Sequence, residues 1–300
     1  MDTLLTMRDV VVELSGRTVL QRLTLEVKAG EWIAVFGPNG SGKTALLAAA
    51  AGRVQPRGGS VLTPDPNRRL QSARVLVAGL PAPLRFLSVH RLLAWSAARG
   101  GGTPAARAAA IAETAAILNL RRMLDSPAAR LSGGQRTALH VAMALCRRPA
   151  LLLLDEVLPA LDETTRERLV AHLEQRCVDD GMAVVHATVR ADEAARADRV
   201  VLLDNGRVLA SAPPSELLEA CQGDRVMIEA ADPRSVLPTL TGIFDVEVCE
   251  EGGELAFRAA DGVEVAARVL RRPAGGVRVV RVRPPDLWDA WRAMRSRSAS

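Results

Sequence analysis

The sequence predicts an α/β fold followed by a smaller α+β domain. Short apolar runs alternate with helical patterns over residues 31–211, as expected of parallel strands joined by helices. A glycine-rich loop directly follows the first of these runs. Near residue 223 the pattern changes to a β-α-β-β-α-β order. We therefore expect two domains, residues 1–222 and residues 223–300.

The first domain opens with an antiparallel strand pair. Apolar and polar residues alternate from Leu4 to Val27 on both sides of the turn at Ser15, Gly16 and Arg17. Further strands are predicted at 31–36, 151–154, 182–185, 200–204 and 207–211, the last two joined by an Asn-Gly hairpin turn. Helices are predicted at 45–51 and in the alanine-rich region 89–125, which a run of three glycines interrupts.

The second domain begins after a short helix predicted at 215–222. Strands are predicted at 225–230, 244–250, 254–259 and 276–282, with helices at 233–240, at 263–270 and from Pro284 onward. This order predicts a ferredoxin-like arrangement. No motif in this domain indicates a chemical role.

Composition excludes several classes of function. The 39 basic residues are scattered among 34 acidic ones, so a net charge of +5 does not form the basic run typical of a nucleic-acid partner, and we expect none. The four cysteines lack zinc-site spacing, which favours reduced thiols. Only Lys28 and Lys43 are lysines, and there is no tyrosine.

The sequence predicts that this chain contacts a membrane only through a partner protein. No stretch of 18 uncharged apolar residues is present, and the N-terminal segment has acidic residues where a signal peptide has basic ones. The sequence therefore predicts a cytoplasmic protein.

The glycine-rich loop GPNGSGKT has the spacing of a phosphate-binding loop between a strand and a helix. Glycines let backbone N–H groups turn inward around phosphates, and the helix that follows presents its positive end to the same anion. Lys43 is expected to reach the β- and γ-phosphates of a nucleotide, and the Thr44 hydroxyl to bind Mg²⁺. The predicted loop residues are Gly37, Pro38, Asn39, Gly40, Ser41, Gly42, Lys43 and Thr44.

Two carboxylates follow the apolar strand LLLL at 151–154. Asp155 is expected to hold Mg²⁺ through water, and Glu156 to orient or deprotonate an attacking water molecule. A second glycine-rich segment, LSGGQ, precedes a helix. Because the chain already has a phosphate loop, this second anion site suggests a nucleotide shared between two chains; its residues are Ser132, Gly133, Gly134 and Gln135.

The order GPNGSGKT, LSGGQ, LLLLDE and PALD resembles the nucleotide-binding subunits of ABC transporters over about residues 4–222. The resemblance implies an ABC-type P-loop NTPase fold with a helical subdomain at about 80–130. It implies that LSGGQ contacts the γ-phosphate of ATP held by the opposite subunit of a head-to-tail dimer. Asp162 matches the D-loop at that dimer interface. ATP and Mg²⁺ are the cofactors implied.

Several positions depart from the family pattern. Leu80 stands where the family has a glutamine, Val189 stands where it has a switch histidine, and Leu14 replaces the aromatic residue that stacks on adenine. His186 lies three residues too early and is interpreted as a strand-end histidine. We therefore hypothesise slow hydrolysis at this chain's own site, with LSGGQ and Asp162 completing the site of a different partner subunit. The competing hypothesis is a slow homodimer in which Glu156 suffices and His186 moves into the site.

The resemblance implies an ATPase subunit that couples ATP to a separate membrane permease, in an export-type system. The chain would then sit on the inner face of the cell membrane through that permease, as a homodimer or a heterodimer. The alternative is a non-transport or regulatory ABC ATPase that acts as a nucleotide-gated binding module. A neighbouring gene with several hydrophobic spans would favour transport.

Overall fold

The computed structural model describes residues 2–63, 74–77, 82–221, 223–231, 249–251, 254–271 and 277–299. The chain separates into two compact units, Met1–Pro213 and Pro214–Ser300. The helix predicted at 215–222 is observed at Pro214–Glu219 and lies in the second unit, where it packs against the C-terminal helix. The domain boundary predicted near residue 223 stays a prediction.

Two sheets form the framework of the first unit. Its described strands are β1 (Thr3–Leu14), β2 (Arg17–Lys28), β3 (Trp32–Phe36), β4 (Gly58–Leu62), β5 (Arg74–Val77), β6 (Leu151–Asp155), β7 (Ala183–Thr188), β8 (Arg199–Asp204) and β9 (Arg207–Ala212). One sheet has the order β5-β6-β7-β3-β8-β9, with every neighbouring pair parallel except β8 and β9. The carboxyl ends of the parallel strands therefore meet at one edge, where ligands bind in open α/β sheets.

The smaller sheet has the order β2-β1-β4 and is antiparallel, which confirms the predicted strand pair. Ser15 and Gly16 make the turn with φ angles of 50° and 77°. The two sheets share one apolar core with the first helix, because β1 and β2 turn alternate leucine and valine side chains toward it.

The described helices of the first unit are α1 (Lys43–Ala50), α2 (Val89–Arg99), α3 (Pro104–Ile117), α4 (Gly133–Leu145), α5 (Glu163–Asp180) and α6 (Ala191–Ala194). α2 and α3 occupy the alanine-rich region, each beginning at a side-chain cap, from Ser88 and Thr103. Gly100 ends α2 where a β-carbon would lie 2.6 Å from the backbone oxygen of Arg147. No helix among the described residues is long and apolar enough to cross a bilayer.

The second unit contains α7 (Pro214–Glu219), β10 (Asp224–Ala230), β11 (Cys249–Glu251), β12 (Glu254–Ala259), α8 (Gly262–Arg271), β13 (Val277–Arg283) and α9 (Leu287–Ala299) among its described residues. Its sheet is antiparallel with the order β11-β12-β10-β13. The predicted helix 233–240 and most of the predicted strand 244–250 lie outside the described residues. The ferredoxin-like arrangement therefore stays a prediction.

One buried carboxylate fastens α9 to this sheet. Asp289, in the first turn of α9, has no exposed surface, and its oxygens lie 2.5 Å from Arg225 Nη1 and 2.8 Å from Arg283 Nη1. Burial acts to raise the pKa of Asp289, but the backbone N–H of Asp286 and the charges of Arg283 and Arg225 outweigh it and hold this pKa below its usual range. The carboxylate is therefore ionised in the folded unit.

Candidate nucleotide site

The loop between β3 and α1 adopts a conformation that its glycines make possible. Gly40 and Gly42 have φ angles of 82° and 107°, a region that residues with a side chain rarely adopt. A β-carbon on Gly37 would lie 2.2 Å from the backbone oxygen of Leu203. Gly37 is thus required by the close approach of the Leu203 backbone, and Gly42 by its backbone angle. The loop that they bound wraps around the N-terminus of α1.

Lys43, the first residue of α1, extends back across this loop. Its side chain is 4% exposed, and its Nζ donates hydrogen bonds to the backbone oxygens of Gly37 at 2.9 Å and Pro38 at 3.1 Å. The same Nζ lies 3.4 Å from Glu156 Oε1. The ammonium group is therefore held by the loop and by the second of the two predicted carboxylates, at the carboxyl edge of the sheet.

Asp155 ends β6 beside the start of α1. Burial raises the pKa of Asp155, while a hydrogen bond from Thr44 and the charge of Lys43 oppose this rise. Its Oδ1 is buried with no hydrogen-bond partner, and so is the hydroxyl oxygen of Ser41. A carboxylate oxygen without a partner, next to a threonine hydroxyl, is a donor set that fits Mg²⁺, and a divalent cation would also stabilise the ionised carboxylate.

Glu156 follows Asp155 with a φ angle of 50°, in the left-handed region. Its backbone N–H donates to the oxygen of Ala187 at 3.1 Å, which fixes this turn against the end of β7. The side chain is 47% exposed, so water reaches the carboxylate. The structure thus brings Lys43, Thr44, Asp155 and Glu156 together, as the sequence predicts.

The LSGGQ segment forms the N-terminus of α4. Ser132 Oγ accepts from the Gln135 backbone N–H at 3.3 Å, and Gln135 Oε1 accepts from the Ser132 backbone N–H at 2.9 Å. This reciprocal pair is a capping box. Gly133 has open space around it, whereas a β-carbon on Gly134 would lie 3.0 Å from the Ala160 backbone oxygen. Within this capped turn Ser132 and Gly133 are exposed, Gly134 and Gln135 are half-buried, and Leu131 is buried.

The predicted D-loop runs beside this segment and ends at Asp162. Asp162 caps α5, because its Oδ1 accepts from the Thr165 backbone N–H at 3.0 Å. This hydrogen bond holds the pKa of Asp162 below its usual range. The exposed residues Ser132 and Gly133 therefore lie on the same surface of the first unit as Asp162, which is also exposed.

Three positions depart from the family pattern in the sequence, and the structure describes two of them. Leu80 lies outside the described residues. Val189 follows β7 and is half-buried, and Leu14, at the β1–β2 turn, is 43% exposed. Thr188, which no sequence pattern singled out, is buried at the end of β7, and its hydroxyl donates to Glu193 Oε2 at 2.7 Å. Its position at the end of a strand, one residue before Val189, is the signal that would have drawn attention to it.

His186 lies inside β7 and not at its end. The strand predicted at 182–185 runs on to Thr188, because β3 continues beside it as far as Phe36. His186 Nδ1 accepts from Trp32 Nε1 at 2.7 Å, and complete burial lowers the pKa of His186 to about 4. The interpretation as a strand-end histidine is wrong in position, and the imidazole is packed as a neutral core residue.

We expect the neutral imidazole of His186 to make stability depend on pH. Unfolding lets it take up a proton near its ordinary pKa of 6.5, whereas the folded group does so near 4. The contribution of the neutral imidazole to the free energy of unfolding is fully present above about pH 6.5. It falls by about 3 kcal/mol as the pH drops toward 4. Chemical denaturation at a series of pH values tests this: His186→Gln should flatten the dependence, and His90→Gln, at an exposed histidine, should not. Equal slopes in both variants would contradict it.

Known proteins resemble the chain in sequence and in fold. Residues 20–158 match the ABC transporter family. The aliphatic sulfonates import ATP-binding protein SsuB of Cupriavidus necator is 35% identical, over 78% of this chain and 80% of that protein. The Fe(3+) ions import ATP-binding protein FbpC of Streptomyces coelicolor is 34% identical, over 95% of this chain and 81% of that protein.

Solved structures share the fold. The ATP-binding subunit of an ABC transporter superposes with a TM-score of 0.67 at 24% identity, over 72% of this chain and 92% of that one. A dimeric ATP-binding cassette with bound ADP and Pi gives 0.62 at 23% identity, over 70% of this chain and 98% of that one.

The two relatives are both named for import, so the comparisons do not support the export direction expected from the sequence. ABC ATP-binding domains are ATPases, and the phosphate loop, the two carboxylates and LSGGQ stand in the order of that family. The chain therefore belongs to the ABC transporter family, as an ATP-binding subunit with ATPase activity.

Proposed function

We propose that the chain binds Mg-ATP at Gly37–Thr44 and couples its hydrolysis to a separate membrane permease. The observation that carries this proposal is the buried Lys43 beside Asp155, whose Oδ1 lacks a hydrogen-bond partner. The permease would hold the chain at the inner face of the membrane. The names of the relatives favour import, and because those names specify different cargoes, we assign the choice of cargo to the permease.

Each residue at the carboxyl edge of the sheet has a proposed role. The backbone from Gly37 to Gly42 surrounds the phosphates, and Lys43 binds the β- and γ-phosphates. Thr44 and Asp155 hold Mg²⁺, which when bound neutralises the charge that develops on the phosphates. Glu156 orients a water molecule and accepts its proton, for which its exposed carboxylate has access to solvent.

A second ATP-binding subunit, identical or different, is proposed to complete the site. Ser132 and Gly133 are exposed at the capped N-terminus of α4, so the segment from Ser132 to Gln135 can receive the γ-phosphate of a nucleotide held by another subunit. The exposed Asp162 lies beside this segment on the same surface. In this chain's own site, the side chain of Val189 cannot donate a hydrogen bond to the γ-phosphate of the nucleotide bound there. We therefore propose slow hydrolysis by the chain alone; robust, cooperative ATPase activity of the purified chain would contradict it.

Glu156→Gln should reduce ATP hydrolysis by about 10²- to 10³-fold, because a positioned general base contributes on that order. ATP binding should not be weakened, since Glu156 has no proposed contact with the phosphates. Steady-state phosphate release and equilibrium ATP binding measure the two effects separately. Glu174→Gln is the matched control, because Glu174 is also 47% exposed and lies on α5 away from the loop. A fall of similar size in the control, or an unchanged rate in Glu156→Gln, would contradict the assignment.

A further inference from the structure

A cavity of about 270 Å³ lies between α5 and α6 in the first unit. Trp32, Leu158 and Val170 form the apolar part of its wall, and all three are buried. The Trp32 Nε1–H group donates to His186, so the indole presents its ring to the cavity while its N–H is already bonded. The volume suits a molecule smaller than the drug-sized ligands that occupy cavities of about 300–1,000 Å³.

Charged side chains form the rest of the wall. The lining carboxylates are Glu163, Glu167, Asp192 and Glu193, and the lining arginines are Arg166 and Arg196. Arg166 Nη2 lies 3.3 Å from Glu163 Oε1. Arg196 Nη2 lies 3.3 Å from Oε1 of Glu174, a residue of α5 that does not line the cavity. Both lining arginines therefore already have a carboxylate partner.

The other lining carboxylates have too few positive partners. Arg190 Nη2 lies 2.6 Å from Asp192 Oδ2, and its Nε lies 3.3 Å from Glu193 Oε1, so one guanidinium group serves two carboxylates. Glu167 is exposed and forms no ion pair within the part of the chain that the structure describes. With the residues that pair with the wall included, five carboxylates stand against three guanidinium groups among the described residues. The cavity is therefore acidic.

Glu193 is the most buried of these carboxylates, with a side chain that is 7% exposed. Its Oε2 accepts from the Thr188 hydroxyl, but its Oε1 has no hydrogen-bond partner, because Arg190 Nε is near without being oriented to donate. Burial raises the pKa of Glu193, and the hydrogen bond from Thr188 and the charge of Arg190 oppose this rise. A buried carboxylate oxygen without a donor is unfavourable, and a further cation beside it would stabilise the ionised form.

We propose that this cavity binds an organic cation, an ammonium group carried on a short alkyl chain. The alkyl chain packs against the apolar part of the wall, and the ammonium group interacts with the Trp32 ring and the lining carboxylates. An ammonium group has three N–H donors, so it can supply Glu193 Oε1 and a second carboxylate at once. The source is a free amine or the lysine side chain of another protein, which present the same chemistry.

This site is separate from the nucleotide site. No residue of the phosphate loop lines the cavity, and neither carboxylate that follows β6 does so. The proposal therefore goes beyond the ATPase function and does not depend on it. An ion bound there lies between α5, which begins after Asp162, and α6, which follows the end of β7.

Titration of the full chain with butylammonium, followed by saturation-transfer NMR, tests the proposal. We expect saturable binding, with the neutral 1-butanol at least about tenfold weaker because it cannot form charge-assisted hydrogen bonds to the carboxylates. Glu193→Gln keeps an oxygen for the Thr188 hydrogen bond and should weaken butylammonium binding about tenfold. Asp179→Asn, at an exposed residue of α5 outside the cavity, should leave the affinity unchanged.

Circular dichroism confirms that Glu193→Gln is folded. If it is not, the exposed Glu167→Gln replaces it, with an expected loss of about threefold. Equal affinities for butylammonium and 1-butanol, or equal affinities in the cavity variant and Asp179→Asn, would overturn the proposal.

A parallel titration with N-acetyl-lysine amide distinguishes the source of the ammonium group. This compound carries the same ammonium and alkyl chain on a peptide backbone. Tighter binding of butylammonium indicates a site for a free amine, and equal or tighter binding of the lysine derivative indicates a site for a lysine side chain. The ATPase proposal is tested at Glu156, so the two fail independently.

Discussion

Replacing Lys43 by alanine is expected to weaken ATP binding by about 10²- to 10³-fold, because the ammonium group makes charge-assisted hydrogen bonds to phosphate from a site with little exposure to water. Loss of hydrolysis should accompany loss of binding. Equilibrium binding of a fluorescent ATP analogue measures the first effect, and phosphate release measures the second.

The sequence provides a matched control for this substitution. Lys28 is the only other lysine of the chain and is exposed at the end of β2, so Lys28→Ala changes the same residue type away from the loop. Lys43→Arg tests whether positive charge alone suffices; we expect it to bind ATP poorly, because the planar guanidinium does not fit between the Gly37 and Pro38 carbonyl groups. Unchanged ATP affinity in Lys43→Ala would contradict the assigned role of the loop.

Asp289→Asn is expected to lower the stability of the second unit by about 3–5 kcal/mol, the usual result of removing one partner of a buried ion pair. The substitution keeps the shape of the side chain but removes the negative charge that faces the nearly buried Arg225. Hydrogen exchange of the amides of β10 and α9 measures the effect, since those elements are joined through this residue.

Glu264→Gln in the same unit is the control for Asp289→Asn. Glu264 forms an exposed pair with Arg268 one helical turn away on α8, a contact whose loss should change stability by less than about 0.5 kcal/mol. Faster exchange confined to Asp289→Asn supports the role of the buried carboxylate. Equal exchange rates in the two variants would show that the arginines around Asp289 do not depend on it.

The phosphate loop could be predicted residue by residue because its requirements are local. Gly40 and Gly42 have positive φ angles, which the glycines themselves indicate in the sequence, and Lys43 and Thr44 follow them at a fixed spacing. Its contact with Glu156 depends instead on which strands become neighbours. The structure places β7 between β6 and β3, an order that no single strand pattern encodes, so the sequence could assign the two carboxylates after β6 to the loop only by their chemistry.

Other features depend on packing between distant segments. The length of β7, and with it the interior position of His186, is set by pairing with β3. Asp289 is one of many acidic residues in the sequence, and its importance appears only when three strands and a helix bring arginines around it. The left-handed backbone of Glu156 likewise follows from its hydrogen bond to Ala187. Local periodicity contains no information on these contacts.

The ion pair between Lys43 and Glu156 makes the enzyme's own carboxylate a competitor of its substrate. Glu156 Oε1 lies 3.4 Å from the ammonium group of Lys43, which we assign to the triphosphate. ATP must displace this internal anion, so part of its binding energy is consumed in the exchange. We therefore expect Glu156→Gln to bind ATP a few-fold more tightly than the parent chain, the modest size reflecting a half-exposed carboxylate. Binding of ATP then releases Glu156 from Lys43, so this carboxylate becomes available as a general base only when the nucleotide site is occupied.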